Sequence, residues 1–330
     1  MTKESSPLNE TVRAHLYLLA TMAFFGSAFT SSKVVVEEIP HQVAAVLRFG
    51  GGALILLILL LFIRKKLKSD KLTFGQIARA AAVGLIGVFA YNLFFFWGLS
   101  LAPSIDGSII VPVLSPVITT GILLLLGRET ASPARFGGLA LGVVGAVVFF
   151  LGAGGANIGT DGARLTGDFI YLLGALCWAL YSIASKKVLV GMNPLHATTF
   201  GTLAGAMALL VYAIPALPDM EWTALSGSTW ANIAYLAIGP TAVAYLFYYR
   251  GLRVVSPSTA TVLMFTVPVF GVTCGVVFLG ESLTGIQAAG ALVMLVGALL
   301  AVTQGKLRPG PSTVRDGDRP ARTTADRKTG

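Results

Sequence analysis

The sequence predicts an all-α polytopic membrane protein, with ten transmembrane helices arranged as two inverted five-helix repeats. Three observations predict this. The 330 residues are 55% hydrophobic and only 12% charged, with mean hydropathy +0.78; a soluble domain carries about 25% charge. Apolar segments of about 20 residues, enough to cross a bilayer, recur along the whole chain. The chain also repeats itself at an offset near 153 residues.

In order, the expected spans are 14–36, 41–63, 75–100, 104–126, 133–152, 166–189, 194–217, 229–253, 257–279 and 284–304. The first is too long for a signal-peptide apolar region and is expected to be retained. Connections are short and leave little for a soluble domain. The layout is then a cytoplasmic N-terminus (1–13), a first repeat (14–152), an external linker (153–165), a second repeat (166–304) and a disordered, basic cytoplasmic tail (305–330). Lys and Arg set the orientation. With the N-terminus inside, 21 of the 24 basic residues fall on the inner side, leaving Lys33, Arg48 and Arg164 outside. Both termini are expected in the cytoplasm, and the location is the inner (plasma) membrane of a bacterium. The net charge of +9 therefore belongs to loops and tail, which argues against a nucleic-acid partner.

Internal repetition comes from several matches. "NLFFFWGLSL" from Asn92 resembles "YLFYYRGLRV" from Tyr245. Ser32-Lys33 matches Ser185-Lys186. "LSPVITTGILLLLGRE" matches "TVPVFGVTCGVVFLGE", with 13 positions from Pro116 to Glu129 and from Pro268 to Glu281. Five spans per half is an odd number, so the second half enters the membrane upside down. That arrangement suits alternating access, with a substrate site between the repeats.

The pattern resembles the EamA-type transporters of the drug/metabolite transporter superfamily. Pro116, Gly127, Glu129, Gly138 and Gly145 carry the resemblance in the first half. In the second, Pro268, Gly280, Glu281, Thr284, Gln287, Gly290 and Gly297 carry it, and Arg48-Phe49 matches the family's Arg-Phe pair. Within the family the chain is most similar to YddG-type amino-acid exporters. It departs at Phe25-Gly26, where the family has Trp-Gly, and at Gly127-Arg128-Glu129, where it has Gly-Glu. The resemblance implies that spans one to four and six to nine surround a cavity.

The expected substrate-binding residues are Tyr91, Asn92, Phe95, Trp178, Tyr181, Tyr245, Tyr248, Tyr249, Ser27 and Thr30. Tyr91 and Tyr245 lie too deep for an interfacial belt. Tyr91 shares a helix face with Phe95, as Tyr245 does with Tyr248 and Tyr249. Each of these aromatics could equally pack the core. Ser108, Thr259 and Thr261 add small polar groups. Such walls suit an apolar or aromatic zwitterion and not a phosphorylated sugar.

Arg48 sits inside span two, where a charge should face the bundle or a cavity. It reads as a gate, a carboxylate partner or a snorkelling structural arginine. Asp106 is expected to pair with Arg48 or Lys33, on shared depth alone. Pro116 and Pro268 are expected to kink spans four and nine, either statically or as hinges. Glu129 and Glu281 are expected to serve the junctions before spans five and ten, next to the caps Ser132-Pro133 and Thr284-x-x-Gln287. Glycines 137, 138, 142, 145, 285, 290 and 297 should let the terminal spans of each half scaffold the fold, or pair two copies as a homodimer.

Cys177 and Cys274 read as buried hydrophobes, and the three histidines have no metal-ligand spacing. No cofactor is expected. No P-loop or catalytic constellation appears, so the expectation is a secondary transporter exporting amino acids or related small metabolites, not an enzyme. Drugs or other metabolites are alternative cargo; a lipid-modifying membrane enzyme is the alternative class.

Overall fold

The computed structural model describes residues 7–63, 72–128, 132–153, 162–188, 192–252, 254 and 263–303. The described chain is helical throughout. We number the helices α1 (Pro7–Glu38), α2 (His41–Ile63), α3 (Phe74–Leu101), α4 (Ser104–Leu125), α5 (Pro133–Ala153), α6 (Gly162–Val188), α7 (Pro194–Ala213), α8 (227–252), α9 (Val267–Leu279) and α10 (Gly285–Thr303). Among the described residues nine helices are long and apolar enough to cross a membrane. The exception, α9, has 13 residues, about 20 Å of helix. The expected start of span nine, with Thr259 and Thr261, lies outside the described residues, as do Glu129 and the tail from 304. α6 begins at Gly162, four residues before the expected 166.

Successive helices alternate between two ends of the bundle. One end, here the acidic end, gathers Glu38, Asp106, Asp168 and Glu281, with Arg164 and Lys33. The other, the basic end, gathers Arg13, Arg79, Arg128, Arg135 and Arg250.

Two helices are interrupted at corresponding places. α3 passes through a π segment at Leu85–Ala90 and α8 through one at Ala237–Val243, again about 153 residues apart. Such turns are rare and concentrate at functional sites. Side chains brace both. Asn92 Nδ2 donates to the Val88 carbonyl at 2.8 Å, and Thr241 Oγ1 to the Leu236 carbonyl at 2.9 Å.

The repeated prolines behave differently in the two halves. Pro116, with Pro112 one turn before it, lies inside the continuous helix α4. Pro268 sits in the first turn of α9, after a break at Phe265-Thr266. The expected kink is therefore an interior proline pair in one repeat and a helix start in the other.

The phrases containing these prolines end alike. Gly127 and Gly280 both adopt left-handed backbone, φ 64° and 66°, which a side chain would disfavour. Gly280 turns the chain so that Glu281 reaches α4. Its carboxylate accepts from the Ser104 amide at 2.7 Å, the Ser104 hydroxyl at 2.8 Å and the Ile105 amide at 2.8 Å. Glu281 thus has a structural role, but it caps a helix of the opposite repeat and not α10. The reason is the missing side-chain cap on α4, whose N-cap is Pro103. A second crossing matches it: Glu38 accepts from the Ser226 amide at 3.0 Å and its hydroxyl at 2.6 Å, at the start of α8. The Thr284–Gln287 capping box forms as expected, and Ser132 caps α5.

The glycine stripes scaffold the chain. α5 and α10 lie against each other so closely that a Cβ on Gly145 would overlap Met294, and one on Gly290 would overlap the backbone of Phe149. Gly138 meets Gly297 and Ala301 likewise. Gly138, Gly142, Gly145, Gly290 and Gly297 are thus used within one chain, whereas Gly137 and Gly285 meet little or nothing. Gly290→Val should separate α5 from α10 and destabilise the fold by at least about 1–3 kcal/mol, read as a lower thermal midpoint of the detergent-purified protein.

Candidate functional site

Between the two halves lies a narrow cavity of about 50 Å³. α1 contributes Phe25, Ala28 and Phe29; α2 Arg48 and Phe49; α3 Tyr91 and Phe95; α4 Val111 and Pro112. The second half adds Trp178 from α6, Tyr245 from α8, and Met264 and Val267 around the break before α9. Tyr91 directly follows its π segment, and Tyr245 follows the other one residue later, after Ala244.

The rings form one continuous wall. Tyr91 lies 5.0 Å from Trp178 and 5.8 Å from Phe95, and Phe95 lies 4.9 Å from Phe29 (centroid distances). Phe25 bridges Trp178 at 6.5 Å and Tyr245 at 5.9 Å in edge-on contacts. Such edge-on and tilted pairs are the favoured aromatic geometries.

Arg48 is the one charged side chain lining this cavity, and it is only 7% exposed. Its guanidinium carbon stands 4.9 Å from the Phe49 ring centroid, 5.4 Å from Phe95 and 5.9 Å from Phe96. Those cation–π contacts are worth about 0.5–2 kcal/mol each. Its hydrogen bonding is thin: Nη1 donates to Ser32 Oγ at a long 3.4 Å, and Nε has no partner. No described carboxylate lies within ion-pair distance. The Thr30 hydroxyl and Asn92 Oδ1 are also buried without a partner.

Of the residues expected at a binding site, Tyr91, Phe95, Trp178, Tyr245 and Arg48 converge here. Tyr181 does not line this cavity. It lines a second, narrow groove toward the basic end, between α3, α6 and α7, where Gly84 and Gly201 let the helices touch. Tyr245 borders both spaces. Asn92 braces the π segment. Ser27 pairs with the Tyr235 hydroxyl at 2.6 Å, and Tyr248 packs against the core. The side chain of Tyr249 lies outside the described residues. Pro116 is buried beside the cavity, while Pro112, which spacing did not single out, lines it.

One expected pairing is wrong. Asp106 meets neither Arg48 nor Lys33. Arg164 grips it with two bonds, Nε to Oδ2 at 2.8 Å and Nη2 to Oδ1 at 3.0 Å, and Gln287 Nε2 adds a third at 3.2 Å. The sequence places Arg164 in the linker, but α6 starts at Gly162 and carries it to Asp106. Lys33 instead donates to the Leu99 and Ala102 carbonyls at 2.8 and 3.2 Å.

The EamA-like transporter family matches residues 12–151 and again 165–303. The chain belongs to the EamA-like transporter family. It is a multi-pass membrane transporter and not an enzyme. It is 26% identical to the uncharacterized transporter YyaM of Bacillus subtilis, over 87% of this chain and 92% of that protein. It is 28% identical to the aromatic amino acid exporter YddG of Ancylobacter novellus, over 66% of this chain and 74% of that one. A solved crystal structure superposes with a TM-score of 0.61 at 22% identity, covering 89% of this chain and 99% of the other, which shows the shared fold.

A buried arginine without a counter-ion strains the empty protein, since a charge at membrane depth costs about 2.5–3.5 kcal/mol even on permissive scales. Arg48→Met should therefore raise the thermal midpoint of the ligand-free protein. A lowered midpoint would mean that the aromatic contacts outweigh the unpaired charge.

Proposed function

We propose that this EamA-family transporter exports amino acids with apolar or aromatic side chains, or close metabolite relatives, by alternating access through the central cavity. The observation that carries the reading is Arg48, a buried cation in an aromatic chamber with no acidic partner among the described residues. A cargo carboxylate would supply the missing charge, and charge-assisted pairing with a guanidinium is the strong form of that bond. The cargo's ammonium would lie over the faces of Trp178, Tyr91 and Tyr245, and its side chain against Phe25, Phe29 and Met264. The aromatic amino acid exporter named above supports the cargo class. A probable terminal-alkyne amino-acid exporter of Streptantibioticus cattleyicolor, 24% identical over 67% of this chain and 71% of that protein, points the same way.

The finer architecture belongs to the same reading. Ten crossings, as inverted repeats over 14–152 and 166–304, would place the acidic end outside and both termini in the cytoplasm of a bacterial inner membrane. Matched π segments and matched left-handed glycines support the duplication. The unequal prolines support a role for Pro116 and Pro268 in switching, since alternating access needs the two repeats in different conformations at any moment.

Counterflow of radiolabelled phenylalanine or tryptophan in proteoliposomes tests the proposal. Arg48→Gln should lower kcat/KM at least tenfold, corresponding to about 1.4 kcal/mol. Phenethylamine, which lacks the carboxylate, should compete poorly. Failure to move any amino acid sinks the cargo class. Unchanged transport in Tyr91→Ala and Tyr245→Ala moves the binding site away from this cavity.

A further inference from the structure

A second buried ionic cluster lies at the acidic end, away from the central cavity. Asp106, in the first turn of α4, is held by Arg164 from α6 and by Gln287 from α10. Asp106 and Gln287 are both fully buried. One turn beyond Arg164 on α6, Asp168 is also fully buried, and neither of its carboxyl oxygens meets a hydrogen-bond donor. Asp168 follows Arg164 by four residues and so shares the helix face from which Arg164 grips Asp106, close enough for the two acids to interact electrostatically. The cluster is thus a formed network with one unpartnered buried acid pointing into it.

Two carboxylates cannot face one another in a dry site without a proton between them. The surrounding charges agree. Glu281 lies on the N-terminus of α4 beside Asp106. The cations nearby are Arg164, committed to Asp106, and Lys33, committed to carbonyls. Three acids therefore stand against two bases, and a single proton balances them. Glu37 faces solvent, and the Tyr171 hydroxyl points to the Pro103 carbonyl at 3.4 Å. Neither relieves Asp168.

We propose that Asp168 and Asp106 form a proton-binding carboxyl pair that ties the two repeats together at the acidic end. Arg164 holds Asp106 as the carboxylate, and Asp168 keeps the proton and donates it to Asp106. Releasing the proton to water leaves two facing carboxylates and loosens α4 from α6. Because α4 belongs to the first repeat and α6 and α10 to the second, that loosening acts on opening of the acidic end. This link to opening rests on the alternating-access reading; the proton site itself does not.

Infrared difference spectra across pH, on the full-length protein in lipid nanodiscs without cargo, test the site. The wild type should show a buried protonated-carboxyl stretch that disappears on alkalinisation. Asp168→Asn should lack it. The wild-type thermal midpoint should fall from neutral to alkaline pH, and this fall should be absent in Asp168→Asn. If that variant does not fold, the wild-type spectrum and Asp106→Asn decide. A wild type without the stretch overturns the proposal, as does a stretch or pH slope unchanged in both variants. In proteoliposomes the wild type should accumulate phenylalanine under an imposed pH gradient, and Asp168→Asn should keep gradient-free counterflow but lose accumulation. Absent counterflow in the wild type condemns the cargo reading and leaves the spectroscopic result standing; accumulation kept by Asp168→Asn overturns the coupling.

Discussion

Within hydrocarbon a backbone N–H or C=O that lacks a partner costs several kcal/mol, and the places where this chain breaks that rule are the places where the two halves are joined. Helix ends need donors and acceptors from outside the helix. At the acidic end they come from the opposite repeat: Glu281 closes the start of α4, and Glu38 closes the start of α8. Each cap therefore holds a helix end and a repeat contact at once. The same requirement explains the bracing of both π segments by Asn92 and Thr241, where an extra residue per turn disturbs the regular ladder.

Helix packing supplies the rest of the frame. Lipid offers no hydrophobic drive between helices, so close van der Waals contact and small residues matter more than in water. α5 and α10 exploit this with reciprocal glycines, forming a rigid pair beside the cavity helices. The cavity helices carry the irregular features instead: prolines in α4 and at the start of α9, π segments in α3 and α8. Close pairing at one side and interrupted helices around the chamber are what the proposed alternating access would call for.

Charge is scarce enough that each buried instance reads as a choice. Arg48 and the Asp106 cluster make opposite ones. The arginine is wrapped in rings and lacks an anion. The aspartates have a guanidinium, a lysine nearby and still one acid too many. On the proposed readings, a carboxylate-bearing cargo would meet the first imbalance and a proton the second. Both sites join elements from the two repeats, so occupancy of either bears on how the halves sit together.

Much was legible in sequence. Hydropathy alone determined the membrane class, and a fixed offset between matching phrases determined the duplication, because both are properties of spacing. The aromatic residues of the chamber were also legible, since a tyrosine deep in an apolar helix is unusual wherever it points. Pro112 was hidden by the attention that the repeated Pro116 draws, and Asp168 by its position two residues inside the expected span 166–189, where an acid reads as a boundary residue; α6 in fact begins at Gly162, a full turn earlier. Tertiary structure alone decided which polar groups meet. Asn92 and Ser27 turned to backbone and to Tyr235, Asp106 found Arg164 and not Arg48, and Glu281 reached a helix 177 positions away. Helical spacing specifies which residues share a face, but the rotation of that face and its neighbour are set by packing among helices far apart in the chain.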